Sequence, residues 1–188
     1  AGAARSGGAR WEPSHGPEGG SVSAIAVAPS APKIVYVGTE RGVFRSIDGG
    51  RSWTSAGLVE RPDRFRSSPP PVTSLAVDPR TPTTVYAGLD GRWGGGGGAT
   101  YRRSLFKSTN GGASWTAINS GLAGIYAATS IDTLAIDPAT PTTLYAATGA
   151  GVFKSTNAGA SWTAVNSGLP PFAVFDVAID PATPTTLY

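Results

Sequence analysis

Residues 132–162 read DTLAIDPATPTTLYAATGAGVFKSTNAGASW, and this stretch decides the fold. Leu134 and Ile136 alternate with smaller residues, so both side chains fall on one face of an extended strand. Asp137-Pro138-Ala139-Thr140-Pro141 then breaks the run: the Asp side chain can accept backbone N–H groups, and Pro fixes φ and ends the ladder. A second apolar run, Thr143-Leu144-Tyr145-Ala146, and a third, Val152-Phe153-Lys154-Ser155, follow with a short link between them. After Ser155-Thr156-Asn157-Ala158-Gly159 a fourth strand is expected to begin at Trp162. Four short strands joined by tight turns predict an antiparallel meander, labelled A to D.

The same unit recurs along the 188 residues. Strands A and B reappear as SAIAVAPSAPKIVYVG from Ser23, TSLAVDPRTPTTVYAG from Thr73 and FDVAIDPATPTTLY from Phe175. The turn proline precedes the tyrosine by seven residues each time: Pro29–Tyr36, Pro79–Tyr86, Pro138–Tyr145 and Pro181–Tyr188. Phenylalanine precedes tryptophan by nine in Phe44–Trp53, Phe106–Trp115 and Phe153–Trp162, and Pro138 to Pro181 spans 43 residues. A period of about 40–45 residues with four strands per unit is the pattern of a β-propeller blade. One such sheet cannot bury both faces alone, so neighbouring blades must stack.

The C–D link is Ser-x-Asp/Asn-x-Gly-x-x-Trp in all three complete units: Ser46, Asp48, Gly50 and Trp53; Ser108, Asn110, Gly112 and Trp115; Ser155, Asn157, Gly159 and Trp162. Its chemistry reads as structural. The Asp or Asn oxygen takes turn N–H groups, Gly adopts φ > 0, and Trp packs over the hairpin. These motifs resemble the Asp-box (BNR) repeats of β-propellers, found in sialidases, xyloglucanase-type glycoside hydrolases, sortilin-type receptors, photosystem II assembly propellers and bacterial repeat proteins with units such as GVFKSTNGGASW. The resemblance covers nearly the whole chain. It implies an all-β propeller, carries no catalytic residue over, and suggests a secreted or periplasmic location.

The expected blades are 23–72, 73–131 and 132–174, with partial blades at 1–22 and 175–188. Aligning Trp11 with Trp162 sets Ala4, Ser6 and Gly8 against Ser155, Asn157 and Gly159, a degenerate fourth C–D turn. Two readings follow. One is a fragment of a larger propeller; the other is a four-bladed ring closed by pairing the termini, which would remove exposed strand edges. An open propeller would be prone to self-association.

Meander geometry places A–B turns and C–D turns at one end of the blades, and B–C and D–A loops at the other. The second end is the variable one, as binding loops are. Tyr86 to Phe106 is 20 residues, against 8 in the other units, and the preceding D–A loop is also long. The two loops should be neighbours. They carry Arg61, Arg64, Arg66, Arg92, Arg102 and Arg103 with Phe65, Trp93 and Tyr101, against Glu60, Asp63 and Asp90. Arg pairs bidentately with carboxylate or phosphate, and aromatic rings stack on sugar or apolar faces. Arg61, Arg64, Arg66, Arg92, Trp93, Tyr101, Arg102 and Arg103 are therefore the candidate ligand-binding residues. The competing reading is a solvated surface insertion. Gly94–Gly98 lacks the Gly-Lys-Ser/Thr ending of a phosphate loop.

Other classes find little support. His15 is the single histidine, in a Pro/Gly-rich linker, and there is no cysteine, so no catalytic triad, disulfide or thiolate metal site is expected. No cofactor or metal is implied. Glycoside hydrolysis needs two flanking carboxyl groups, and only Glu60, Asp63 and Asp90 stand out on the variable end. No apolar run reaches membrane-spanning length. The net charge of +3 with no recognition helix gives no basis for nucleic-acid binding. The expectation is a non-catalytic scaffold or binding module for a protein or carbohydrate partner, with a glycoside hydrolase fragment as the alternative.

Overall fold

The structure, a computed structural model, describes residues 16–18, 20–58, 70–90, 105–122, 130–170 and 173–188. Twelve strands build three four-stranded antiparallel sheets, and the described residues contain no helix. The first blade is β1 (Val22–Val27), β2 (Val35–Thr39), β3 (Gly42–Ser46) and β4 (Thr54–Ser55). The second is β5 (Val72–Val77), β6 (Val85–Leu89), β7 (Leu105–Ser108) and β8 (Thr116–Ala117). The third is β9 (Ile131–Ile136), β10 (Leu144–Thr148), β11 (Gly151–Ser155) and β12 (Thr163–Ala164). Each is a simple meander in strand order. A further Ile179–Leu187 antiparallel bridge lies in the 173–188 segment. The expected strand D is corrected in one detail. It begins one residue after the tryptophan and is two residues long; at Trp162 the backbone N–H is bonded to Ser120 O of the preceding blade instead of to its own sheet.

The apolar cores lie between blades. Tyr36 and Val43 of the first blade pack with Val72, Val77, Val85, Ala87 and Phe106 of the second. Tyr86 and Leu105 of the second pack with Leu134, Leu144, Ala146, Phe153 and Trp162 of the third. Tyr145, Ala147 and Val152 then pack with Val174, Val177 and Ile179. Strands β2, β6 and β10 are buried along their whole length, as strands covered on both faces must be.

The inner strands touch through a recurring bulge. The register of β1 against β2 slips at Ser23, and that of β5 against β6 slips at Thr73. A bulge re-aims the extra side chain. Ser23 Oγ donates to Val72 O at 2.6 Å, and Thr73 Oγ1 donates to Ile131 O at 2.7 Å. In the third blade the bulged residue is Asp132, and Thr133 Oγ1 makes the corresponding reach to Phe175 O at 3.1 Å.

Close approach of the next inner strand explains Gly38 and Gly88 in β2 and β6. A Cβ on Gly88 would lie 2.5 Å from Ile131 Cβ, and one on Gly38 would lie 2.6 Å from Val72 Cγ1. The equivalent residue of β10 is Ala147, fully buried. Gly88→Ala should therefore destabilise the chain by about 1–3 kcal/mol through overpacking. Ala147→Gly should cost about 0.5–1 kcal/mol, the ordinary backbone penalty. Urea unfolding of the two variants checks the contrast.

Candidate functional site

The two ends of the blades are built differently. At one end each C–D turn is closed by the same side chains. Ser46 Oγ accepts from Gly50 N at 2.8 Å and donates to Asp48 Oδ1 at 2.8 Å. Asp48 Oδ1 in turn accepts from Ser52 N at 2.9 Å. Ser108, Asn110, Gly112 and Ser114 repeat this arrangement, as do Ser155, Asn157, Gly159 and Ser161. Gly50, Gly112 and Gly159 have φ of 91°, 93° and 86°, which accounts for glycine there. The turns also bond to the A–B turns: Gly49 N to Lys33 O, Gly111 N to Thr83 O and Ala158 N to Thr142 O, at 2.8–2.9 Å. Asp78, Asp137 and Asp180 each accept two backbone N–H groups of their A–B turns. Both turn types therefore occupy one end, with their polar groups largely used internally.

Tryptophan does more than cover its own hairpin. Trp115 Nε1 donates to Ala56 O at 2.7 Å, and Trp162 Nε1 donates to Ile118 O at 2.9 Å, each in the preceding blade. Tyrosine reaches the other way. Tyr36 Oη donates to Pro82 O at 3.0 Å, and Tyr86 Oη donates to Ala158 O at 3.4 Å. A cation from strand C lies over each tyrosine ring: Arg45, Lys107 and Lys154, at 5.8, 5.3 and 5.3 Å. Burial, reinforced by Asp78, pushes the Tyr86 hydroxyl up to about 12. Neither the tyrosine–cation pairing nor the second serine of each C–D turn, Ser52, Ser114 and Ser161, was read from the sequence, although both recur at fixed spacing. An open apolar cavity of about 340 Å³ also lies where the inner strands end, lined by Pro29, Leu75, Pro79, Leu134, Pro138 and Ile179.

The opposite end carries the long loops. Their bodies, with Arg61, Arg64, Arg66, Arg92, Trp93, Tyr101, Arg102 and Arg103, lie outside the described residues, as do His15, Glu60 and Asp63. The stems are described. Val72 pairs with Leu89, and Asp90 N donates to Pro71 O at 3.0 Å, so the 59–69 and 91–104 loops share a hydrogen-bonded root. Leu58, the last described residue before the 59–69 loop, has φ of 56°, unusual for a bulky residue. At the far side of the second loop, Leu105 N donates to Asn119 Oδ1 at 3.1 Å. Asn166 Oδ1 accepts from Val152 N at 2.7 Å in the same way. The repeated Asn-Ser-Gly-Leu at 119–122 and 166–169 was the signal for this latch. Glu40, exposed on the β2–β3 turn, and Asp132, half-buried at the start of β9, add carboxylates at this end beyond the three expected from sequence. Among the described residues no group of three or more His, Cys, Asp or Glu side chains is placed to hold a metal ion.

Asp48 is the one carboxylate in the three C–D turns. The Ser52 hydroxyl first, then Ser52 N and the Ser46 hydroxyl, hold its carboxyl well below the usual range. A depressed value stabilises the fold above the ordinary value of 3.8, and this contribution is lost as pH falls through the folded value. Asp48→Asn should flatten the acid limb of a stability–pH profile as pH falls below the ordinary value of 3.8, while leaving neutral-pH stability little changed. Thermal melts across the acid range check it. Ser155→Ala, which strips the acceptor from Gly159 N and Asn157 N, should cost about 1–3 kcal/mol at every pH.

No protein-family model matches the sequence, and no curated protein matches it. Solved structures do. An ancestral GH74 enzyme is 24% identical with a TM-score of 0.64, over 85% of this chain and 20% of its own. The GH74 enzyme of Niastella koreensis is 23% identical with a TM-score of 0.65, over 87% of this chain and 24% of its own. YCF48 from Cyanidioschyzon merolae is 16% identical with a TM-score of 0.52, over 85% of this chain and 47% of its own. The chain thus spans about a fifth to a quarter of the two GH74 enzymes. At these identities the likeness speaks to architecture alone: the chain has the blade-based fold of a β-propeller.

Proposed function

We propose that this chain is a non-catalytic β-propeller scaffold of the Asp-box type that presents its variable-end loops to a protein or carbohydrate partner. The observation that supports this most is the shared root of the two long loops, the 3.0 Å bond from Asp90 N to Pro71 O. Two arginine- and aromatic-rich insertions leave the scaffold side by side, at the end where sequence and length vary between blades. The C–D turns at the other end satisfy their own polar groups, which suits a structural role for Ser46, Asp48, Asn110, Asn157 and their neighbours. Arginine forks favour a partner bearing carboxylate, sulfate or phosphate, and Trp93 and Tyr101 provide faces for sugar rings or apolar side chains. A secreted or periplasmic setting accords with a cysteine-free binding module.

The test is a screen on acidic-glycan and acidic-peptide arrays, followed by titration of the best binder. Replacing Arg61, Arg64, Arg66, Arg92, Arg102 and Arg103 with Ala should weaken binding at least about tenfold, and raising salt should mimic it. Arg51→Ala and Arg80→Ala, at the other end, should leave it unchanged. Equal binding by the six-residue variant, or hydrolysis of the bound glycan, would overturn the reading.

A further inference from the structure

We propose that Asn110-Gly111 is a deamidation site that the folded C–D turn of the second blade holds shut, and that the same turn accepts the carboxylate product in the way it accepts Asp48.

Of the four asparagines, Asn110 alone precedes a glycine; Asn119 and Asn166 precede serine, and Asn157 precedes alanine. The reaction needs only water as co-reactant. The backbone nitrogen of Gly111 loses its proton and attacks Cγ of Asn110. The new N–C bond closes a succinimide ring, and the side-chain nitrogen leaves as ammonia. Water then opens the ring. Opening at Cγ gives aspartate. Opening at the backbone carbonyl gives isoaspartate, in which the main chain runs through the former side chain. Glycine in the second position favours the attack, because it has no Cβ to obstruct it and its backbone is the least restricted.

In the fold both reacting groups are committed elsewhere. Gly111 N donates to Thr83 O at 2.8 Å. Gly111 is buried, with Arg45 Nη1 of the first blade 2.8 Å from where a Cβ would stand. Asn110 Oδ1 accepts from Ser108 Oγ and from Ser114 N, both at 2.9 Å, and Nδ2 donates to Ser114 Oγ at 2.8 Å. Turning the side chain onto the Gly111 nitrogen breaks these side-chain bonds, and freeing that nitrogen breaks the bond to Thr83 as well. Cyclisation therefore waits on local opening of the turn and is slowed by the opening equilibrium.

The first blade already carries the side chain of the product. Asp48 Oδ1 accepts from Ser46 Oγ at 2.8 Å and from Ser52 N at 2.9 Å, as Asn110 Oδ1 does from Ser108 and Ser114. The difference lies at the other side-chain atom. Asn110 Nδ2 donates to the Ser114 hydroxyl, whereas Asp48 Oδ2 accepts from the Ser52 hydroxyl at 2.6 Å. A serine hydroxyl serves as donor or acceptor, so Ser114 has only to turn its proton toward a new carboxylate. Isoaspartate has no such fit. Its extra main-chain carbon lengthens the span between Ser108 and Gly112, whose N–H donates to Ser108 Oγ at 2.9 Å.

The test is to age the 188-residue chain in mildly alkaline buffer, with and without denaturing urea, and to read the one-dalton gain by peptide mapping. In urea Asn110 should convert ahead of Asn119, Asn157 and Asn166. In the folded chain it should convert at least about tenfold more slowly. Asn110→Asp should melt like the wild type at neutral pH and gain a loss of stability in the acid range, while isoaspartate chains separated from the urea sample and refolded should melt lower. Equal rates with and without urea would remove the lock. Asn110→Asp melting well below the wild type at neutral pH would show that the turn rejects the product. Conversion first at another asparagine, or none at Asn110 in urea, would overturn the site itself.

Discussion

A four-stranded antiparallel sheet with apolar side chains on both faces has no interior of its own. In this chain it acquires one only by lying against the next sheet. Tyr36, Val43 and Phe106 belong to one core although they come from two blades, and Tyr86, Phe153 and Trp162 belong to another. Every other feature follows from that stacking. The middle strands become fully buried and give up side-chain volume at Gly38 and Gly88 where the next inner strand approaches, and the bulged Ser23 and Thr73 turn their hydroxyls toward the neighbouring backbone.

Stacking of apolar faces is non-directional, so polar contacts set the stagger. The tyrosine hydroxyl points forward to a turn carbonyl and the indole N–H points back to a strand-end carbonyl. These donors are partly or wholly buried, where an unmade hydrogen bond costs about 1–3 kcal/mol, so each permits only one placement of the adjoining blade. The cations over the tyrosine rings add to the same preference, and Lys107 Nζ also reaches Ala158 O at 3.2 Å. One end of the blades is consumed by this work: its turns bond to themselves and to one another. Among the described residues the other end is held at its turns and loop roots, through bonds such as those of Asn119, Asn166 and the Asp90–Pro71 pair, and its loops differ in length between blades. That division between a fixed end and a variable end is the basis for placing binding at the latter.

Much of this was legible before any coordinates. The two-residue alternation at Leu75 and Val77, the Asp-Pro turn at Asp78 and the Ser-x-Asn-x-Gly turn at Ser108 are local patterns, and local patterns are written in spacing. The adjacency of the two loop roots also followed, since a meander must alternate its connections. Three things were not legible. Trp115 was read as covering its own hairpin, but its indole serves the previous blade. Tyr86 and Lys107 were seen as strand residues without a partner. Asn119 and Asn166, though repeated, were given no role. In each case the sequence shows that the residue recurs and conceals which neighbouring unit it faces.

By itself, then, the sequence determined the strand and turn content, the blade repeat and the chemistry of the C–D turn. These depend on interactions within a few residues, where periodicity and glycine, proline and Asx placement are decisive. Only the tertiary structure decided how the blades interlock and which polar groups cross between them. A repeat shows that a residue recurs, and packing alone decides which neighbour it meets: Leu75 lies against the core shared with the first blade and Ala76 in the core shared with the third.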